Sequence, residues 1–296
     1  MPITSGDSFR DFDVLETGMF FDALSGIGGL PLGRMVEFFG LQNSGKTTAA
    51  LQVIASAQRQ GMKCLLVDAE YQYTSERAEK VGVDTKKLDV MREMTAEDTL
   101  DSLEAAIKDG KYKVIVLDSL GQLSSRIWFE KQAGEKTIGT QASLIGSFVM
   151  KTIPYVVMNK ILFIGISHER VTMEWGKIFA LGGNKWAEKK KLSFRFREKT
   201  IRMQGEAVLG KTIEVIVVKN HVGNTEGQKV QAFLAKDEGF SMEADALDAA
   251  IASGKFERIG NTFYFSGEKI GTMKALREWY KENAERVNEK PTGAVS

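Results

Sequence analysis

The eight residues GLQNSGKT at Gly40–Thr47 carry the spacing G-x-x-x-x-G-K-[ST], and their flanks leave few folds open. Ahead of them Met35–Phe39 (MVEFF) reads as a short buried strand. Behind them Thr47–Gln60 (TTAALQVIASAQRQ) reads as an alanine-rich amphipathic helix. A strand that turns through glycines into a helix is the setting in which this spacing cradles phosphate. Gly40 and Gly45 let backbone N–H groups face inward, and the helix start adds partial positive charge where phosphate oxygens lie. The expected nucleotide-binding set is Gly40, Asn43, Ser44, Gly45, Lys46, Thr47 and Thr48. Lys46 reaches the β- and γ-phosphates, and the Thr47 hydroxyl takes a Mg²⁺ position. The expected ligand is a nucleoside triphosphate with Mg²⁺.

The rest of the chain continues that pattern. Lys63–Glu70 is a second apolar strand ending in acids. Thr95 opens a helix with capping-box spacing to Asp98, with Leu100, Leu103 and Ile107 on one face and Gly110 as its stop. Val114–Leu117 is a third strand that delivers Asp118, Ser143–Met158 is helical, and Ile161–Ile166 is a fourth strand ending at Ser167 and His168. Short continuous apolar strands alternating with helices predict an α/β fold with a mostly parallel sheet covered on both faces. From Leu192 the pattern turns to alternation, in LSFRFR and TIEVIVV, which predicts an antiparallel extension. From about Met242 a small α+β segment follows, with helices at Ala244–Ser253 and Thr272–Asn283 around the hairpin FERIGNTFYF.

Composition excludes several classes. One cysteine, Cys64, cannot build a disulfide framework, and with two histidines it argues against a zinc site of the common kind. There is no run of ~18 apolar residues and no signal-peptide shape, so a cytoplasmic protein with no membrane partner is expected. The formal charge of +1 gives no global argument for nucleic acid, but Lys185–Arg202 holds eight Lys/Arg against two Asp/Glu. That is a basic stripe which the near-neutral total hides.

Ligands in open α/β sheets bind outside the carboxyl ends of the strands. Glu70, Asp118 and His168 fall at such ends together with the glycine turn. Asp118 fits the Walker-B carboxylate that holds Mg²⁺ with Thr47, and Glu70 is a candidate to orient or deprotonate the attacking water. His168 is open to two readings: a sensor of the γ-phosphate, or a structural strand-end histidine.

With these residues in view, the chain resembles the RecA family of recombinases. The resemblance rests on the run from Gly29 to Glu70, on VIVLDS, on LGGN at Leu181–Asn184, on VVKNHVG at Val217–Gly223, and on SGEKIGTMKALREWYKEN at Ser266–Asn283. It implies a RecA-type ATPase core at residues 33–240, a short N-terminal arm and entry segment at 1–32, a small DNA-gateway-like C-terminal domain at 241–290 and a disordered tail at 291–296. By that resemblance Glu70 takes the catalytic glutamate place. His168 stands where a glutamine couples γ-phosphate to DNA, and Arg77 stands where a tyrosine packs on adenine. ATP would lie between neighbouring subunits of a helical filament, so Lys219 resembles a lysine reaching a neighbour's γ-phosphate. His221 stands where a second such lysine is usual.

The resemblance also implies two DNA loops. Loop 1 is Gln132–Gln141, with Ile138 and Gly139 at the bases. Loop 2 is Glu169–Leu181, with Arg170, Met173, Trp175, Lys177 and Phe179, followed by Gly182, Gly183 and Asn184. Cations that track phosphates and apolar wedges that touch bases suit single-stranded DNA. Two departures from the family stand out: the polymerisation helix and strand are reduced to MPITSGDSFRDF, with Phe9 and Phe12 as apolar anchors, and an acidic tail is missing. The implied activity is DNA-dependent ATP hydrolysis with homologous pairing to duplex DNA and strand exchange. A hexameric helicase-like motor of the same fold and a non-exchanging ATP-binding module remain alternatives.

Overall fold

The computed structural model describes residues 13–130, 139–171, 178–180, 182–204, 207–241, 247, 250–251 and 254–288. The chain forms two compact units, Met1–Phe240 and Ser241–Ser296.

The first unit is built on one twisted sheet. Its parallel strands are β3 (Met35–Gly40), β4 (Cys64–Asp68), β5 (Leu88–Met91), β6 (Val114–Asp118) and β7 (Leu162–Val171), joined by β9 (Leu192–Gln204). β10 (Ala207–Asn220), β11 (Lys229–Ala235) and β12 (Gly239–Phe240) continue it antiparallel, in the order β12-β11-β10-β9-β3-β7-β6-β4-β5. The alternation from Leu192 therefore holds an outcome that the pattern alone did not separate: β9 itself runs parallel to β3, and the antiparallel part starts at β10. The edge strand β5 (LDVM) escaped the sequence reading because only Leu88 of its four residues is buried.

Helices cover both faces. α2 (Lys46–Arg59) and α3 (Ser75–Lys80) belong to one; α4 (Ala96–Asp109), α6 (Thr140–Met158) and α7 (Gly183–Lys189) belong to the other, and the short α5 (Arg126–Glu130) falls between α4 and α6 in the chain. α4 begins as its sequence foretells, with the Thr95 hydroxyl accepting from the Asp98 amide and Gly110 in the left-handed region at its end. α6 starts at Thr140 rather than Ser143, so the last two residues of the expected loop 1 are helical.

Residues 14–31, within the expected arm and entry segment, contribute side chains to the core of the first unit. β1 (Val14–Leu15), α1 (Phe20–Leu24) and β2 (Leu30–Pro31) bury Leu15, Phe20, Phe21 and Leu30. Phe21 stacks on Phe38 at 4.7 Å between centroids and meets Phe194 edge-on at 4.9 Å. These ring contacts each contribute about 0.5–1.5 kcal/mol beyond area burial. The segment that looked like an approach to the fold is thus one of its fixings.

The second unit has its own small core of Leu247, Ala250, Phe256, Phe263, Leu276, Tyr280 and Val287. The expected hairpin forms as β13 (Glu257–Ile259) and β14 (Thr262–Phe265), and β15 (Glu268–Gly271) adds a third strand before the helix Met273–Asn288. Most of the helix expected at Ala244–Ser253, and the tail at 291–296, lie outside the described residues.

Candidate functional site

β3 delivers the chain to the glycine turn at the sheet's carboxyl edge. A Cβ at Gly40 would sit 2.2 Å from the Phe196 carbonyl oxygen, so only glycine lets β3 and β9 stay paired there. Gly45 adopts φ 90 as the N-cap of α2, a backbone state that side chains disfavour. The turn leaves Lys46 folded back, its ammonium donating to the Leu41 carbonyl at 2.7 Å and the Gly40 carbonyl at 3.2 Å. Burial pulls the Lys46 pKa below its ordinary value, while Asp118, Glu70 and Glu169 pull it back up.

The Thr47 hydroxyl donates to Asp118 Oδ2 at 2.6 Å. Asp118 ends β6 almost fully buried, and burial pushes its carboxyl up to about 6, with Glu70 and Asp68 adding repulsion against the Thr47 hydrogen bond and Lys46. A hydroxyl and an undercompensated carboxylate in contact are hard oxygen donors, of the kind that hold Mg²⁺ beside substrate phosphates. The donor set fits that ion.

Glu70 lies two residues beyond β4. The Ala69 and Glu70 amides donate to the Asp118 carbonyl at 2.7 and 3.2 Å, which ties the turn to the end of β6. The Glu70 carboxylate accepts from the Ser119 hydroxyl at 2.5 Å and pairs with His168 Nε2 at 2.7 Å, both on Oε1. His168 stands opposite Gly40 in the β3–β7 register. Lys46, Thr47, Glu70, Asp118 and His168 are therefore gathered at one edge. Sequence reasoning missed Ser119, although its place next to Asp118 was the available signal.

On the α2–α3 side, Arg77 donates to the Thr48 hydroxyl at 3.2 Å. A cleft of about 510 Å³ opens there between Asn43, Thr48, Arg77, Val208, Leu234 and Lys236. Ser44 is buried under the turn.

Of the expected DNA contacts, Ile138, Met173, Trp175 and Lys177 lie outside the described residues. Gly139 caps α6. Loop 2 does not begin at Glu169: β7 runs on to Val171 and pairs antiparallel with β8 (Ile178–Ala180), setting Arg170 opposite Phe179. The cause is visible at the stem, where Arg195 of β9 grips Glu169 through two bonds of 2.8 Å. Gly182 caps α7, and Gly183 and Asn184 form its first turn. A Cβ at Gly183 would sit 3.0 Å from that of Ala142, so the exits of the two expected loops meet at α6 and α7.

α7 is fastened to the sheet by a carboxylate that the sequence reading passed over. Glu37 of β3 is 0% exposed; it accepts from Trp186 Nε1 at 2.7 Å, Ser193 Oγ at 2.7 Å and Ser167 Oγ at 3.1 Å, and it pairs with Lys190.

Lys219 sits elsewhere. It pairs across from Ser193, the same rung as Glu37 and three residues short of Gly40. At about 3.3 Å per residue and 4.8 Å per strand, it lies some ~10 Å back from the edge and two strands over. Its ammonium donates to the Ala187 and Glu188 carbonyls at the end of α7, both at 2.9 Å. Burial, then the nearby Lys190 and Lys191, hold its pKa below the ordinary value. Lys219 thus does not join the cluster around its own Lys46. His221 is exposed beside it, its amide donating to the Lys191 carbonyl.

No helix among the described residues is long and apolar enough to cross a membrane. A family model for the RecA N-terminal domain matches residues 3–240. The Protein RecA of Delftia acidovorans is 31% identical over 293 residues, which span 96% of this chain and 78% of that protein. The Protein RecA of Haemophilus ducreyi is 33% identical over 283 residues, 93% of this chain and 75% of that protein.

Proposed function

The chain belongs to the RecA family, and from that premise we propose that it is a DNA-dependent ATPase that polymerises on single-stranded DNA. In this reading it pairs that strand with homologous duplex and exchanges strands. A cytoplasmic location goes with it. The observation that carries the proposal is the meeting of Lys46, Thr47, Asp118, Glu70 and His168 at one carboxyl edge, beside a cleft large enough for a nucleoside.

The chemistry asked of these residues is modest. The α2 N-terminus and Lys46 bind and neutralise the β- and γ-phosphates of ATP. Thr47 and Asp118 would hold Mg²⁺, which supplies charge neutralisation at the phosphate oxygens when bound. Arg77 stacks or hydrogen-bonds at the base in the cleft of Thr48 and Val208. Glu70 orients the attacking water and takes its proton, with Ser119 and His168 fixing which carboxylate oxygen remains available. His168 leads directly into the β7–β8 hairpin, so a change at Glu70 has a short path to Arg170 and Phe179.

Lys219 is too far from its own turn to reach phosphate there, and that supports a role in trans, on the nucleotide of a neighbouring subunit, with His221 beside it. The DNA surface in this reading runs from Ile138 and Gly139 through Arg170, Met173, Trp175, Lys177 and Phe179 to Gly182, Gly183 and Asn184. The test is ATP turnover with and without single-stranded DNA, joined to negative-stain microscopy with a non-hydrolysable analogue. Stimulated turnover and helical filaments are expected. Closed rings that unwind a tailed duplex would make it a motor, and ATP binding without turnover would make it a regulatory module.

A further inference from the structure

The turn that carries Glu70 is wound around one buried carboxylate. Asp68, the last residue of β4, is 3% exposed and accepts from the Gln72 and Tyr73 amides, each at 3.0 Å. An ionised group so buried is costly unless a counter-charge meets it. The counter-charge comes from the edge strand. Val67 and Met91 are partners in the β4–β5 register, so the next rung brings Arg92 beside Asp68.

Arg92 meets it with two nitrogens. Nε donates to Asp68 Oδ2 at 2.8 Å, Nη2 lies 2.7 Å from the same oxygen, and Nη2 also donates to the Tyr73 carbonyl at 2.9 Å. The guanidinium therefore joins the two ends of the turn at Asp68 and Tyr73. The next residue adds to the hold: the Tyr71 hydroxyl donates to the Glu93 carbonyl at 2.7 Å, and Tyr71 itself is kept at φ 56. Between these fixings lies Glu70, whose hydrogen bonds among the described residues go to the end of β6, Ser119 and His168.

Resting on the reading of Glu70 as the water-orienting base, we infer that Arg92 is its positioning residue. It closes the Asp68–Tyr73 turn from the edge strand and so sets where the Glu70 carboxylate stands. Lysine cannot replace it in full. A single ammonium reaches the Asp68 carboxylate but lacks the planar fork that serves Asp68 and Tyr73 together.

The experiment compares Arg92→Ala and Arg92→Lys with the parent 296-residue chain, by ATP turnover on single-stranded DNA and by amide hydrogen exchange without nucleotide. Because a displacement of about 1 Å at a reacting group costs up to about 100-fold in rate, Arg92→Ala is expected to lower kcat by about tenfold or more. Its KM for ATP should stay within about twofold of the parent, since Lys46 and the glycine turn are untouched. Exchange at the Gln72 and Tyr73 amides should accelerate, and Arg92→Lys should fall between the two in both readouts. A parental kcat in Arg92→Ala overturns the inference. So does a loss that appears wholly in KM, or a lysine variant no better than the alanine one. A parent that hydrolyses no ATP would sink the reading of the site instead. The exchange rates then still decide whether Arg92 holds the turn, and unchanged exchange refutes it.

Discussion

Replacing Lys190 by methionine removes the one cation in salt-bridge contact with Glu37 among the described residues, while keeping most of the side-chain volume. Glu37 is 0% exposed and Lys190 is 8% exposed, so the pair is shielded from water on nearly every side. Breaking a buried ion pair from one partner costs about 3–5 kcal/mol, because the other charge stays buried without compensation. Three neutral donors remain on Glu37, from Trp186, Ser193 and Ser167. They spread the residual charge, which places the expected cost near the lower end, at about 3 kcal/mol. For a unit of this size each kcal/mol moves Tm by roughly 2–4 °C, so a fall of roughly 6–12 °C is expected. The assay is urea and thermal unfolding of the chain, followed by tryptophan fluorescence, to which buried Trp186 contributes as one of four tryptophans.

The comparison that makes this refutable is Glu37→Gln. The amide keeps the shape and can still accept from Trp186, and Lys190 can swing its ammonium outward along its apolar stem. That variant should cost only about 1–2 kcal/mol. If Lys190→Met costs less than about 1 kcal/mol, the lysine is behaving as a solvated surface charge and the network argument fails. A larger cost for Glu37→Gln than for Lys190→Met would refute it equally. Since α7 carries Gly183 and Asn184 of the proposed DNA surface, weakened binding of single-stranded DNA should accompany the stability loss.

Three further outcomes are expected. Glu70→Gln should bind ATP as the parent does but slow single-turnover hydrolysis by about 100-fold or more, the usual range for losing a general base; parental hydrolysis would place the base elsewhere. Burial pushes the Cys64 thiol up to about 12, so at pH 8 about one molecule in 10⁴ carries a thiolate; iodoacetamide should label it only on unfolding, and rapid native labelling would contradict its burial. Lys219→Ala and Lys46→Ala should each lose DNA-stimulated turnover, yet mixed filaments should regain part of it, because some junctions then join an intact Lys219 to an intact Lys46; no recovery at any ratio, with mixing confirmed, would count against the trans role.

What was legible in the sequence follows from how local the signals are. The glycine turn, α4 with its Thr95 cap and Gly110 stop, and the four inner strands rest on contiguous patterns, and they stand where those patterns put them. β5 was not legible, because an edge strand with one buried residue in four has no apolar run to read. Nor was the β7–β8 stem, whose cause is the pairing of Glu169 with Arg195, 26 residues away in sequence. Asp68 and Arg92 are 24 apart and meet only because β4 and β5 lie side by side. Residues 14–31 misled for a related reason. Phe20 and Phe21 give no periodic pattern of their own, and their burial depends on Phe38, Phe194 and Phe196, which come later in the chain.

Glu37 is the sharper case, since its signal was present and was outweighed. MVEFF reads as an apolar run, and the run is indeed a strand buried at every position. A carboxylate in the middle of such a strand is itself improbable, because an ionised side chain in an apolar interior is tolerated only with partners on all sides. The exception therefore carries more information than the four residues around it. It requires a cation and several donors from elements that come later in the chain, and the cluster at Trp186, Lys190 and Ser193 supplies them. The same rule accounts for two of the cations in that stretch: Lys190 neutralises buried Glu37, and Arg195 holds the buried carboxylate of Glu169. Part of what looked like a stripe for phosphates is spent on fixing α7 and the β7–β8 stem. If DNA binds along this stretch as proposed, the cations left for its phosphates are fewer than the eight counted from Lys185 to Arg202. The salt dependence of single-strand binding, at a slope of about 0.7 per phosphate contact, should accordingly fall well short of what eight contacts would give.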